Sequence, residues 1–233
     1  MNRTVFFDRV RARPFGGSLS QPQVSGLTAI LDAASTYGIK DERYLAYALA
    51  TAYHETAHTM QPIAEYGKGK GRKYGVKGKH GQVPYGRGYV QLTWDTNYER
   101  ADKELGLNGA LLKDFDLAMR PGIAAGILFE GMTEGWFTGK KLSDYFTASK
   151  ADPVNARRII NGTDKASMIA GYYNDFLAAL VASDWGKPTA TVTPLPPGRD
   201  YYTPADVHPP SAQPSWLAAL VSSLIALFKR SAK

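Results

Sequence analysis

Between Tyr66 and Trp94 the chain has no acidic residue, while Lys68, Lys70, Arg72, Lys73, Lys77, Lys79 and Arg87 alternate with eight glycines. Such a segment has no apolar face to bury, so it reads as a surface loop, a mobile basic flap suited to an anionic polymer. The core must then come from the flanking segments, and these carry helical spacing. Ser20 is placed to cap a helix with Pro22 in its first turn, along which Val24, Leu27, Ile30, Leu31 and Ala34 recur until Gly38. Asp41 caps the next, with Leu45, Ala48, Leu49 and Ala52 as its buried stripe and Pro62 as its end. Further helices are expected from Asn97 to Leu105, from Pro121 to Gly135, from Leu142 to Phe146, from Asp152 to Asn161 and from Asp164 to Trp185. The last should bury Met168, Ile169, Tyr172, Phe176, Leu177, Leu180 and Val181. Residues 1–19 read as an arm. No strand-rich region and no internal repeat is visible, so the domain is mainly α.

The C-terminal part changes character. Residues 186–214 hold eight prolines and little aliphatic content, the composition of a semi-extended linker. Residues 215–233 form an apolar C-terminal helix, Trp216 to Phe228, ending in Lys229, Arg230 and Lys233. As a helix that run spans about 20 Å, short of the roughly 30 Å hydrocarbon core of a bilayer. Its apolar face and cationic end favour interfacial contact with an inner or outer membrane over a true span.

The chain lacks cysteine, which removes disulfides and thiolate metal sites and suits a reducing cytoplasm. Met1 to Arg13 has no continuous apolar core, so no signal peptide is expected. A net charge of +7 points to an anionic partner. Nucleic acid, an anionic membrane and the acidic bacterial wall share that charge.

Two carboxylates stand out. One turn on from Thr51, Glu55 falls on the same face of an Ala- and aromatic-rich helix, and an apolar surround disfavours the charged form of a carboxyl. Glu65 lies ten residues on, beside the basic loop and open to water. Such a pair can flank a glycosidic bond, with one group protonating the leaving oxygen and the other activating water or attacking carbon. His54-Glu55-Thr56-Ala57-His58 also fits the H-E-x-x-H zinc metallopeptidase pattern. The extended form of that motif fails, because Gln61 and Ala64 occupy the places of its glycine and third histidine.

His54-Glu55-Thr56, then Glu65, then Gly86-Arg87-Gly88-Tyr89-Val90-Gln91-Leu92-Thr93 and Asn97-Tyr98, together with Arg158-Ile-Ile-Asn161-Gly162, resemble glycoside hydrolase family 19 over about residues 20–185. The short gap between the glutamates is similar to the phage endolysin branch rather than the plant chitinases. The resemblance implies a lysozyme-like, chitinase-like bilobal helical domain over residues 1–185 with a small irregular or β-like loop region. It implies Glu55 as general acid, Glu65 as general base and Thr93 as the hydroxyl holding the attacking water. Gln91, Asn97 and Asn161, with Tyr89, would meet the sugar, and Arg87 and Arg158 would be structural or charge-tuning members of the cleft. Family members invert the anomeric centre, which places the carboxyls roughly 6.5–9.5 Å apart. No metal or cofactor is implied. The expected substrate is bacterial peptidoglycan, with chitin as the neutral alternative and no nucleic-acid partner. The expected protein is a monomer, made in the host cytoplasm and acting on the wall once the membrane is permeabilised.

Overall fold

The structure, a computed structural model, describes residues 1–187. Nearly all of the expected linker and the whole apolar 215–233 segment lie outside the described residues. Among the described residues the chain is mainly helical, and no helix is long and apolar enough to cross a membrane.

Helix α3 (Glu42–Glu55) is the axis of the core. Every residue from Leu45 to Tyr53 is buried, so the helix is covered on all sides rather than along one stripe. The alanines at 46, 48, 50 and 52 let its neighbours approach closely. Asp41 caps its start, accepting from the Arg43 backbone N–H at 2.8 Å. Helix α7 (Ala166–Ala182) packs along it. The buried face of α7 is Ile169, Tyr173, Phe176 and Leu180, at alternating steps of four and three. Met168 and Val181, expected inside, are 46% and 57% exposed because they lie one residue off that phase.

Residues 1–19 are no loose arm. Helix α1 (Arg3–Ala12) is capped by the Asn2 side chain, which accepts from Val5 N. It buries Phe6 and Val10, one turn apart, and packs against α7. Helix α2 (Gln21–Thr36) starts with a capping box in which the side chains of Ser20 and Gln23 each bond the other's backbone, and it packs against α6 (Pro121–Glu134).

The end of α3 departs most from expectation. The helix stops at Glu55, seven residues before Pro62. The buried Thr56 hydroxyl donates to the Ala52 carbonyl at 2.7 Å and accepts from Met60 N at 3.1 Å. Its side chain thereby offers the backbone an alternative to another helical turn. Ala57, His58 and Met60 follow with positive φ, and the tight reversal tucks the Met60 carbonyl under α2. A Cβ at Gly26 would lie 1.8 Å from that oxygen, so α2 needs glycine there.

The reversed chain enters β1 (Ile63–Ala64), which pairs antiparallel with β2 (Arg87–Gly88), Ile63 opposite Gly88 and Ala64 opposite Arg87. The run after Gly88, strand-like in sequence, folds back at once: Arg87 bridges to Leu92, with Gln91 at φ +54°. Helix α4 (Asp95–Glu104) follows, then α5 (Ala110–Lys113) and a 3₁₀ turn at Phe115–Met119. After α6, the segments expected as helices at 142–146 and 152–161 are 3₁₀ turns at Leu142–Asp144 and Asn155–Ile159. The hairpin β3 (Phe146–Thr147) and β4 (Lys150–Ala151) lies between them.

Candidate active site

Glu55 is the last residue of α3, and its side chain is 16% exposed. The expected apolar surround is instead a charged one. Arg157 Nη1 donates to Glu55 Oε1 at 2.6 Å, and the Arg157 side chain is only 4% exposed. Its Nε donates to the Asp164 carbonyl at 3.2 Å, which fixes the guanidinium from behind. Arg157 comes from the Asn155–Ile159 turn, which packs on α7. The end of the core helix and a turn 102 residues away therefore meet in a nearly buried ion pair.

That pair corrects the expectation for Arg158. In a 3₁₀ turn adjacent side chains point about a third of a revolution apart, so only one of two neighbouring arginines can face inward. Arg157 does. Arg158 is exposed, its carbonyl accepts from Thr138 Oγ1 at 2.6 Å, and Asn161 is exposed just beyond.

Glu65 follows β1 and is half-buried. Its backbone N–H donates to the Gly86 carbonyl at 2.7 Å. Both carboxylate oxygens have donors: Gly86 N to Oε2 and Tyr74 Oη to Oε1, each at 3.2 Å. Next to it runs a chain of polar side chains. Gln91 Nε2 donates to the Ile63 and Gly88 carbonyls at 3.1 and 3.2 Å. Thr93 Oγ1 donates to the Gln91 carbonyl and Asn97 Nδ2 to the Thr93 carbonyl, both at 2.8 Å. These three side chains thus brace the turn with their donors. The Thr93 hydroxyl lone pairs, the amide oxygens and the second amide N–H of Asn97 are what they have left for a ligand.

Tyr89, expected at the sugar, and Arg87, expected as a structural or charge-tuning member of the cleft, are both off the surface. Tyr89 is fully buried, and burial pushes its phenol well above the usual range. Arg87 is 4% exposed, with Nε on Asp116 at 2.7 Å and Nη1 on the Val83 and Tyr85 carbonyls and the Tyr98 hydroxyl. Its guanidinium lies 3.5 Å above the Tyr85 ring. It braces the loop, and those donors are not available to a ligand. The loop instead exposes aromatic surface at Trp94 and Tyr66, with Tyr74 edge-on to Trp94 at 5.3 Å. Tyr74 and Arg157 carried no motif in the sequence, so neither was found there.

The H-E-x-x-H pattern loses its helix. Because α3 ends at Glu55, His58 lies beyond it at φ +67°, and its ring stacks on Tyr53 at 4.0 Å and 6°. The two imidazoles are therefore not one turn apart on a helix face, and Glu55 is engaged by Arg157. Among the described residues no group of three His, Asp or Glu side chains is arranged to hold a metal ion. Burial holds both His54 and His58 below the usual histidine range.

Two surface hollows of about 310 and 300 Å³ surround Gly38 to Lys40, beside the start of α3. A 14-residue helix is about 20 Å long, so both lie far from Glu55 at its other end. Neither is lined by Glu55 or Glu65.

Solved structures similar to this chain include two of chitinase C. The crystal structure of chitinase C from Streptomyces griseus HUT6037 has 21% sequence identity and a TM-score of 0.46, over 78% of this chain and 75% of that one. The crystal structure of a chitinase C mutant has the same identity and TM-score, over 79% of this chain and 92% of that one. No family model matches the chain, and no curated protein does.

Proposed function

We propose that the protein is a peptidoglycan-degrading glycoside hydrolase of phage endolysin type, cleaving the β-1,4 MurNAc–GlcNAc backbone with inversion. The observation that carries this reading is the pair of carboxylates, each held by its own element. Glu55 is anchored by Arg157 at the end of the core helix, and Glu65 is held between Gly86 and Tyr74 at the edge of the basic loop. In an inverting step one carboxyl protonates the glycosidic oxygen as the other takes a proton from the attacking water.

Glu55 is the acid. Arg157 Nη1 holds one of its oxygens, and the other is left to face the glycosidic oxygen. Glu65 is the base. Its two donors fix its direction without an exchange of partners. Thr93, two residues past Gln91 in the turn beside Glu65, steadies the water. Gln91, Asn97 and Asn161 offer hydrogen bonds to the sugar.

The substrate follows from charge. The chain carries a net +7, and the loop adds Lys68, Lys70, Arg72 and Lys73 next to Glu65. Chitin is neutral and gives those cations nothing to meet, whereas peptidoglycan carries muramyl and peptide carboxylates. The apolar, cationic 215–233 segment serves contact with a membrane, and synthesis in the host cytoplasm precedes attack on the wall. Glu55→Gln and Glu65→Gln should each abolish release of new reducing ends from purified peptidoglycan, read by mass spectrometry. Full activity in either variant would end this reading. Activity lost to a chelator and restored by zinc would move it to a metallopeptidase.

A further inference from the structure

The basic loop is a built structure with a specific inward contact. Gly69 and Gly75 cross at van der Waals distance: a Cβ on Gly75 would lie 1.8 Å from the Gly69 carbonyl oxygen. Successive turns close the crossing, Arg72 N to Gly69 O at 2.9 Å and Gly75 N to Arg72 O at 3.0 Å. The far end is tied to α4, where Lys79 and His80 both reach Glu99, at 2.9 and 2.8 Å. The residue just before the crossing closes is Tyr74, whose ring is edge-on to Trp94 and whose hydroxyl bonds Glu65 Oε1. Lysines and arginines flank it, while its own side chain is half-buried.

Resting on the assignment of Glu65 as the base, we infer that Tyr74 is a positioning residue for the Glu65 carboxylate and that the basic loop sets the base through it. A phenol hydrogen bond to a carboxylate orients it. Gly86 N–H holds one oxygen of Glu65 from the strand side, and Tyr74 holds the other from the loop. The carboxylate is therefore aimed by two elements that come together only when the loop is seated. Burial, with the Glu65 charge beside it, pushes the Tyr74 phenol above its usual range, so its hydroxyl keeps the proton that it donates. An anionic glycan engaging the lysines on either side of Tyr74 presses on the segment that aims the base.

Tyr74→Phe keeps the ring against Trp94 and removes only the hydroxyl. Losing that donor leaves the carboxylate aimed from the strand side alone, so kcat should fall severalfold with KM little changed and the thermal midpoint unmoved. An unchanged kcat in a folded Tyr74→Phe protein, with Glu65→Gln inactive, would overturn the inference while leaving Glu65 as base. Activity retained in Glu65→Gln would remove both the base assignment and the inference together.

Discussion

The surroundings of Glu55 and Glu65 differ in how far they reach along the chain. Glu55 is held by one cation 102 residues away, in a place where both partners are largely out of water. Glu65 is held by two neutral donors 9 and 21 residues away, at a half-exposed loop edge. The first arrangement ties the setting of Glu55 to global folding, because the Arg157 turn and the end of α3 meet only when α7 is docked. The second ties the setting of Glu65 to one loop.

The largest expected effect tests the first arrangement. Arg157→Leu leaves a carboxylate nearly buried without its cation, and breaking such a pair costs about 3–5 kcal/mol. Arg158→Leu, one residue on and exposed, should stay within about 0.5 kcal/mol. Urea denaturation of both variants checks this, and comparable losses would dissolve the distinction between the two arginines.

A smaller effect is expected from the loop. Gly75→Ala forces the Gly69 crossing apart and moves Tyr74 off Glu65. Wall lysis should drop severalfold while the main thermal transition shifts by less than for Arg157→Leu. A core-sized loss of stability would mean that the loop is no separable unit.

The smallest effect concerns pH. Burial is the main cause that lowers His54 and His58 below the usual value, with Arg157 adding to it for His54 and His54 adding to it for His58. The unfolded chain then binds protons more readily than the folded one as pH falls through about 6.5, so stability present above that pH declines below it. His58→Gln should flatten the dependence of the urea midpoint between pH 7 and pH 5. An unchanged slope would assign the acid loss to other groups.

Much of this architecture was legible because it depends on local physics. Helices α2, α3, α4 and α6 announce themselves through Ser20, Asp41 and Pro121 and through apolar residues at helical spacing. The glutamates were visible through the runs around them. What was misread depended on partners distant in sequence or on competition within a turn. The arm became α1 because Phe6 and Val10 found α7. α3 stopped early because Thr56 satisfied the backbone there, and no spacing rule weighs that hydroxyl against another helical turn. Tyr89 looked like a ligand-facing residue, yet the fold buried it, while Arg87 took up the structural role its motif allowed by bracing the loop.

The sequence by itself determined a helical chain with two carboxylates beside a glycine-rich basic loop, since periodicity, caps and composition act within a few residues. Only the tertiary structure decided what holds those carboxylates. Whether Arg157 or Arg158 faces inward is a matter of angle around one turn. That Tyr74 reaches Glu65 follows from two glycines crossing closer than any side chain would permit.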